Sequence, residues 1–126
     1  MMISLGIGTG KYVGLEVNPS KFEMKEGQSH QFRIRFMPVE GIHVNAQPPL
    51  TIKSEVDGVT FRIVKVHASS DYLDPSKPVD IDCTAGRLSP GLHKITFSLG
   101  YTFCSDAGKW CRMGNDTLSV DINIKK

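Results

Sequence analysis

Two cysteines in the stretch Tyr101-Thr-Phe-Cys104-Ser-Asp-Ala-Gly-Lys-Trp-Cys111 are the residues of this chain whose type and spacing could do chemistry. Six residues separate them, Gly108 among these. The chemistry open to such a pair is reversible disulfide formation, in which a thiolate attacks a sulfur and a second thiol resolves the bond. Whether the pair can close depends on the flanking elements. Upstream, Ile95, Phe97, Leu99, Tyr101 and Phe103 alternate with Thr96, Ser98, Gly100 and Thr102; downstream, Leu118, Val120, Ile122 and Ile124 alternate with Thr117, Ser119, Asp121 and Asn123. Alternation with period two marks half-buried strands. By parity, Cys104 falls on the face of Thr96, Ser98 and Thr102, and Cys111 on the face of Thr117 and Ser119. Both cysteines are therefore expected on one polar, accessible face of a hairpin. Directly opposed residues on antiparallel strands lie about 4.5–5.5 Å apart at Cα, within reach of a disulfide. The parity holds if no bulge interrupts Phe103 to Thr117, and Gly114-Asn115-Asp116 is the place where one would sit; Asn115-Asp116-Thr117 matches a glycosylation sequon but reads as turn chemistry.

Other candidate strands surround this hairpin. They are Tyr12 to Val17, Phe22 to Lys25, Gln31 to Met37, Leu50 to Glu55, Val59 to His67 and Val79 to Cys83. Turn signals punctuate them: Asn18-Pro19, Glu26-Gly27, Pro48-Pro49, Asp57-Gly58, Asp74-Pro75 and Ser89-Pro90-Gly91. No stretch of a dozen residues carries a helical period. Short strands at this density predict an all-β domain, a two-sheet antiparallel β-sandwich. Residues 12–126 form that domain, and 1–11 are expected to be a flexible N-terminal segment. Phe32, Ile34, Phe36, Ile95, Phe97, Leu99, Val120 and Ile122 are the expected core. Cys83 continues the apolar parity of Val79 and Ile81, so it is expected to be buried and unpaired, packing as a small hydrophobe.

Composition narrows the function. The chain has 126 residues, 40% hydrophobic and 22% charged, which suits one globular domain. A net charge of +2 without a dense basic run gives nucleic-acid binding no electrostatic support. No apolar run approaches the roughly 20 residues a membrane-spanning helix needs. Met1-Met2-Ile3-Ser4-Leu5-Gly6 lacks the basic start and apolar core of a signal peptide, which leaves a cytosolic protein or a mature fragment behind an added methionine. Gly6-Ile-Gly8-Thr-Gly10 has neither the following helix nor the βαβ setting of a phosphate loop. His30, His43, His67 and His93 are dispersed, Cys111-Arg-Met113 has no histidine nearby for a copper site, and no paired Cys-x-x-Cys or His-x-x-x-His spacing suggests zinc. No metal site is expected. A cysteine pair this close also has a purely structural use, as a staple across the hairpin. So short a loop yields less than the roughly 3 kcal/mol of chain-entropy stabilisation that a 15-residue loop gives.

The segment Gly100-Tyr-Thr-Phe-Cys104-Ser-Asp-Ala-Gly-Lys-Trp-Cys111 resembles the active-site segment of the N-terminal periplasmic domain of the DsbD family of thiol:disulfide interchange proteins. The Asp106-Ala107-Gly108 core is shared. Gly41-Ile-His43-Val-Asn45-Ala-Gln-Pro48-Pro49 is similar to that family's early aromatic-or-His segment with its trailing prolines. The resemblance spans roughly Gln28 to Lys125 and is specific around the cysteines. It departs from the family in two places. The cysteines have one residue more between them than in the best-known members, and Arg112-Met113-Gly114 stands where prolines usually follow the second cysteine.

The resemblance implies that the all-β fold is an immunoglobulin-like antiparallel β-sandwich, and that it is a periplasmic, or membrane-anchored and periplasm-facing, component of a protein-disulfide reductase that works without a cofactor. It would accept electrons from a membrane or thioredoxin-like donor domain and pass them to thioredoxin-fold proteins. It implies Cys111 as the attacking thiol and Cys104 as the resolving one. Lys109 and Arg112 flank the pair on the side of thiolate stabilisation, and Asp106 opposes them. It further implies a cap loop over the disulfide, for which Asp71, Tyr72 and Leu73 stand at the right distance, with Tyr72 as the cap aromatic. The alternative is an immunoglobulin-like binding or structural module whose disulfide only staples the hairpin.

Overall fold

The alternating segments fold as strands of two face-to-face sheets. The structure, a computed structural model, describes residues 6–9 by their backbone, and 12–69 and 71–125 in full. The strands are β1 (Gly6–Thr9), β2 (Val13–Asn18), β3 (Lys21–Lys25), β4 (Ser29–Pro38), β5 (Ile42–Val44), β6 (Thr51–Ser54), β7 (Val59–Lys65), β8 (Ala68–Ser69), β9 (Tyr72–Leu73), β10 (Val79–Ala85), β11 (Gly91–Ser105) and β12 (Cys111–Lys125). The first sheet runs β1-β2-β4-β10-β7, and the second runs β3-β12-β11-β5 with β6 also on β11. The described residues include no helix, and hence none that could cross a membrane. The molecule is an all-β, immunoglobulin-like sandwich. Neighbouring strands are antiparallel apart from β3, which runs parallel to β12 after the chain crosses between sheets at Asn18-Pro19. Of the 1–11 segment expected to be flexible, residues 1–5, 10 and 11 lie outside the described residues, and Gly6–Thr9 pair with β2.

Alternation explains the packing. Leu15 and Val17 of β2, Phe32, Ile34 and Phe36 of β4, and Val79 and Ile81 of β10 turn inward from the first sheet. They meet Ile95, Phe97 and Leu99 of β11 and Val120 and Ile122 of β12, and all of these are buried. All eight expected core residues are among the buried set. Rings from the two sheets meet directly: Phe32 lies 5.8 Å from Phe97, and Phe36 lies edge-on 5.6 Å from Tyr101. Each such side chain contributes roughly 1.5–3 kcal/mol on burial. Cys83 is buried and free, as its parity requires. Burial pushes its thiol up to about 12, with the neighbouring Asp82 carboxylate adding to the rise.

The hairpin that carries the cysteines is longer than its alternation suggests. β11 and β12 stay in one unbroken register from Gly91 opposite Ile124 to Cys104 opposite Cys111. Gly114-Asn115-Asp116 is therefore neither turn nor bulge but the middle of β12. The reason lies across the ladder. Gly114 faces Tyr101, whose ring covers it so closely that an added Cβ would stand 2.5 Å from the ring. The Tyr101 hydroxyl donates to Asp116 Oδ2 at 2.6 Å. These turn-forming residue types accommodate a buried tyrosine here, an arrangement that reading one strand at a time does not reveal.

Candidate functional site

The tip of the hairpin is built by its backbone. Gly108 adopts a φ of 71°, in the left-handed region that favours glycine. Its N–H donates to the Ser105 carbonyl at 2.9 Å, and the Lys109 N–H donates to Ser105 Oγ at 3.1 Å. The Ser105 N–H donates to the Trp110 carbonyl at 3.0 Å, and the Asp106 N–H to the Gly41 carbonyl at 2.8 Å. This closed turn brings Cys104 and Cys111 directly opposite one another, joined as a disulfide.

A third strand completes the row. β5 pairs with the other edge of β11 and sets His43 opposite Cys104. His43, Cys104 and Cys111 therefore occupy consecutive cross-strand positions on β5, β11 and β12. His43 Nδ1 lies 2.7 Å from Asp106 Oδ1, so the carboxylate of the hairpin turn holds the imidazole from one side. The Tyr72 ring lies over the imidazole at a centroid distance of 3.7 Å. One residue beyond β5, the Asn45 N–H donates to the Thr102 carbonyl at 2.8 Å, and Asn45 Nδ2 donates to Cys104 Sγ at 3.2 Å.

Asp71, Tyr72 and Leu73 lie beside this row, and the Tyr72 ring packs on His43. Their segment forms the small β8–β9 hairpin, tied to the chain after β5 by a bridge between Tyr72 and Asn45 and by the Ala46 N–H donating to the Asp71 carbonyl at 2.8 Å. Leu73 is buried, whereas the Tyr72 side of the segment is half exposed. An open groove of about 430 Å³ runs between this small hairpin and the β11–β12 tip. Its walls include His43, Asn45, Tyr72, Cys104 and Cys111.

The structure corrects two expectations about the cysteines. They are not equally accessible: Cys104 is only 4% exposed, whereas Cys111 is exposed. The polar face of β11 meets solvent only where nothing covers it, and at Cys104 it is covered by β5 and the residues that follow. Arg112 does not flank the sulfurs. Its guanidinium lies 4.8 Å from the centre of the Trp110 ring and 5.6 Å from that of Tyr12, on the strand face opposite Cys111. Sequence reasoning does not single out His43 and Asn45 as site residues. Their signal is faint: β5 has three residues, and the alternation of His43, Val44 and Asn45 is too short to declare a strand. Among the described residues, no group of three or more His, Cys, Asp and Glu side chains converges as a metal site.

No protein-family model matches this chain, and no curated protein matches it.

Proposed function

We propose that this domain is a thiol–disulfide interchange module that passes reducing equivalents to thioredoxin-fold proteins through the Cys104–Cys111 pair. The observation that carries the reading is the asymmetry of the disulfide: one cysteine exposed beside an open groove, the other buried against a hydrogen-bond donor. Exchange requires one sulfur that a partner can reach and one that stays home to resolve the intermediate. In the reduced domain, the Cys111 thiolate attacks a sulfur of the partner's disulfide and releases the partner's other sulfur as a thiolate. Cys104, deprotonated, then attacks Cys111 Sγ. The bond to the partner breaks, its electron pair leaves with the partner's sulfur, and Cys104–Cys111 re-forms. Two electrons pass to the partner, and the two thiol protons go to solvent or to the released thiolates. In this reading the Asp71-Tyr72-Leu73 segment is the cap beside the site, and the donor that re-reduces the pair is a thioredoxin-like or membrane domain. The periplasm, where disulfide chemistry is active, is the compartment that suits it.

A hairpin staple is the competing reading, favoured by the burial of Cys104. Single cysteine variants separate the two. Cys104→Ser, incubated with an oxidised thioredoxin-fold protein, is expected to accumulate a mixed disulfide through Cys111, and Cys111→Ser is expected to accumulate none. Mass spectrometry of the trapped species reads the linkage. Trapping by Cys111→Ser alone would reverse the two roles. No trapping by either, with a reduction potential below about −300 mV, would establish the staple instead.

A further inference from the structure

In the oxidised site, one side-chain atom has no partner: among the described residues, Asn45 Oδ1 is buried without a hydrogen bond, while Nδ2 of the same amide donates to Cys104 Sγ. Buried amides normally use both ends. A disulfide sulfur can only accept, so it occupies the donor end of this amide and leaves the acceptor end idle. Reduction changes what that sulfur can offer in a hydrogen bond. A Cys104 thiolate is a far stronger acceptor for Nδ2–H, and a Cys104 thiol carries an S–H that Oδ1 can accept once the amide turns over.

We propose that Asn45 makes Cys104 the departing sulfur of this disulfide and serves it in both reduced forms, donating to the thiolate through Nδ2 and accepting from the thiol through Oδ1. The proposal rests on the disulfide being open to exchange, and it assigns the direction of opening. An entering thiolate bonds to Sγ of Cys111, the exposed cysteine of the pair. The Cys104–Cys111 bond breaks, and its electron pair leaves on Cys104 Sγ, where the new charge meets the Asn45 N–H at 3.2 Å. A second thiol then attacks the mixed disulfide, releases the Cys111 thiolate and carries away the oxidised small molecule. Entry at Cys104 would instead require an attacker to pass into the covered position and would place the departing charge on Cys111, to which no side chain among the described residues donates in this way. His43, held by Asp106, is the neighbour of Cys104 on β5, and Asp71 and Tyr72 also line the groove. They are common to every variant below, so their effects cancel in comparison.

Glutathione and dithiothreitol are sufficient probes. Brief exposure of the oxidised protein to glutathione, followed by acid quenching and peptide mapping, is expected to find the adduct on Cys111. Asn45→Asp keeps the shape and the acceptor but removes the donor and sets a carboxylate against Cys104. It is expected to slow opening by dithiothreitol roughly tenfold or more, in line with losing a hydrogen bond to a charged group. At a pH where reduced Cys104 is the thiolate, the same factor in the equilibrium moves the potential about 30 mV more negative. In a Cys111→Ser background, thiolate absorbance should show Cys104 ionising only at a roughly tenfold lower proton concentration when Asn45→Asp is added, a change that simple loss of packing does not produce. Asn45→Ser retains a short donor and is expected to fall between the two; it also decides the question if Asn45→Asp does not fold. Glutathione on Cys104, or a rate and ionisation within twofold of the parent in the folded variants, would overturn the proposal. A normal Asn45 effect on glutathione together with no exchange toward thioredoxin-fold proteins would support it while overturning the proposed function alone.

Discussion

Cys83 and the Cys104–Cys111 pair show how one side-chain type is set to different uses by its surroundings. Cys83 is enclosed on β10, and its thiol is held up by burial first and by Asp82 second. A thiol that ionises near 12 offers almost no thiolate at neutral pH, so alkylating reagents should modify it slowly in the native protein. The same shift makes stability pH-dependent. The folded state holds this proton more tightly than the unfolded chain does, whose thiol ionises near 9. The contribution is therefore complete below about pH 9 and is lost as the pH rises towards 12, at up to ~1.4 kcal/mol per pH unit. Tyr101, raised by burial and then by its hydrogen bond to Asp116, acts with the same sign at higher pH. Urea titrations of Cys83→Ala are expected to show about 1 kcal/mol lower stability at about pH 7 and a flatter decline between about pH 9 and 10 than the parent. Parallel pH curves for the two proteins would refute this account of Cys83.

At the level of single elements, the β11–β12 hairpin carries both the site and much of the second sheet. Its ladder is continuous, so the disulfide is not what holds the strands together. Closing so short a loop gives roughly 2.5 kcal/mol through the lost chain entropy of the unfolded state. The fully reduced protein is expected to keep its β-sheet circular dichroism and a single cooperative unfolding transition, with stability lower by no more than about that amount. Loss of cooperativity on reduction would make the disulfide a structural necessity. Closer to the middle, Gly114 and Tyr101 form one packing unit. Gly114→Ala places a methyl group against a ring held by Asp116 and is expected to cost about 1–3 kcal/mol. Combining it with Tyr101→Phe, which frees the ring from Asp116, should cost less than the sum of the two single changes. Additive costs would mean that the ring does not crowd position 114.

Across the molecule, the two sheets are joined by an aromatic seam. Phe97 of β11 lies 4.8 Å from Phe61 of β7 and 5.8 Å from Phe32 of β4, so one side chain ties the second sheet to two strands of the first. Phe97→Ala is expected to cost roughly 3–5 kcal/mol, much of the stability of a domain this size. Met113, 84% exposed on β12, is the contrasting position: Met113→Ala should change stability by less than about 0.5 kcal/mol. Denaturant midpoints of the two variants test the seam, and similar values would deny it. The sandwich thus supplies a rigid platform, and the site is set at one end of it, where β5 and the β8–β9 hairpin cover part of a face that is otherwise solvated.

The fold class, the core and the pairing of the two cysteines are all legible in the order of residues. Each rests on alternation, and alternation is a local property: Phe32, Ile34 and Phe36 must share a face whatever else the chain does, and so must Ile95, Phe97 and Leu99. Cys83 is legible for the same reason. What lies over each face comes instead from the packing of distant segments. Parity assigns Cys104 to the polar side of β11, but its burial follows from β5, a strand too short to show a period, and from a residue some sixty positions earlier in the chain, Asn45. The position of Arg112 against Trp110 and Tyr12, and the place of Gly114-Asn115-Asp116 in a strand beneath a tyrosine, have the same origin. A strand's own pattern says which way its side chains point, whereas exposure depends on the neighbour that meets them there.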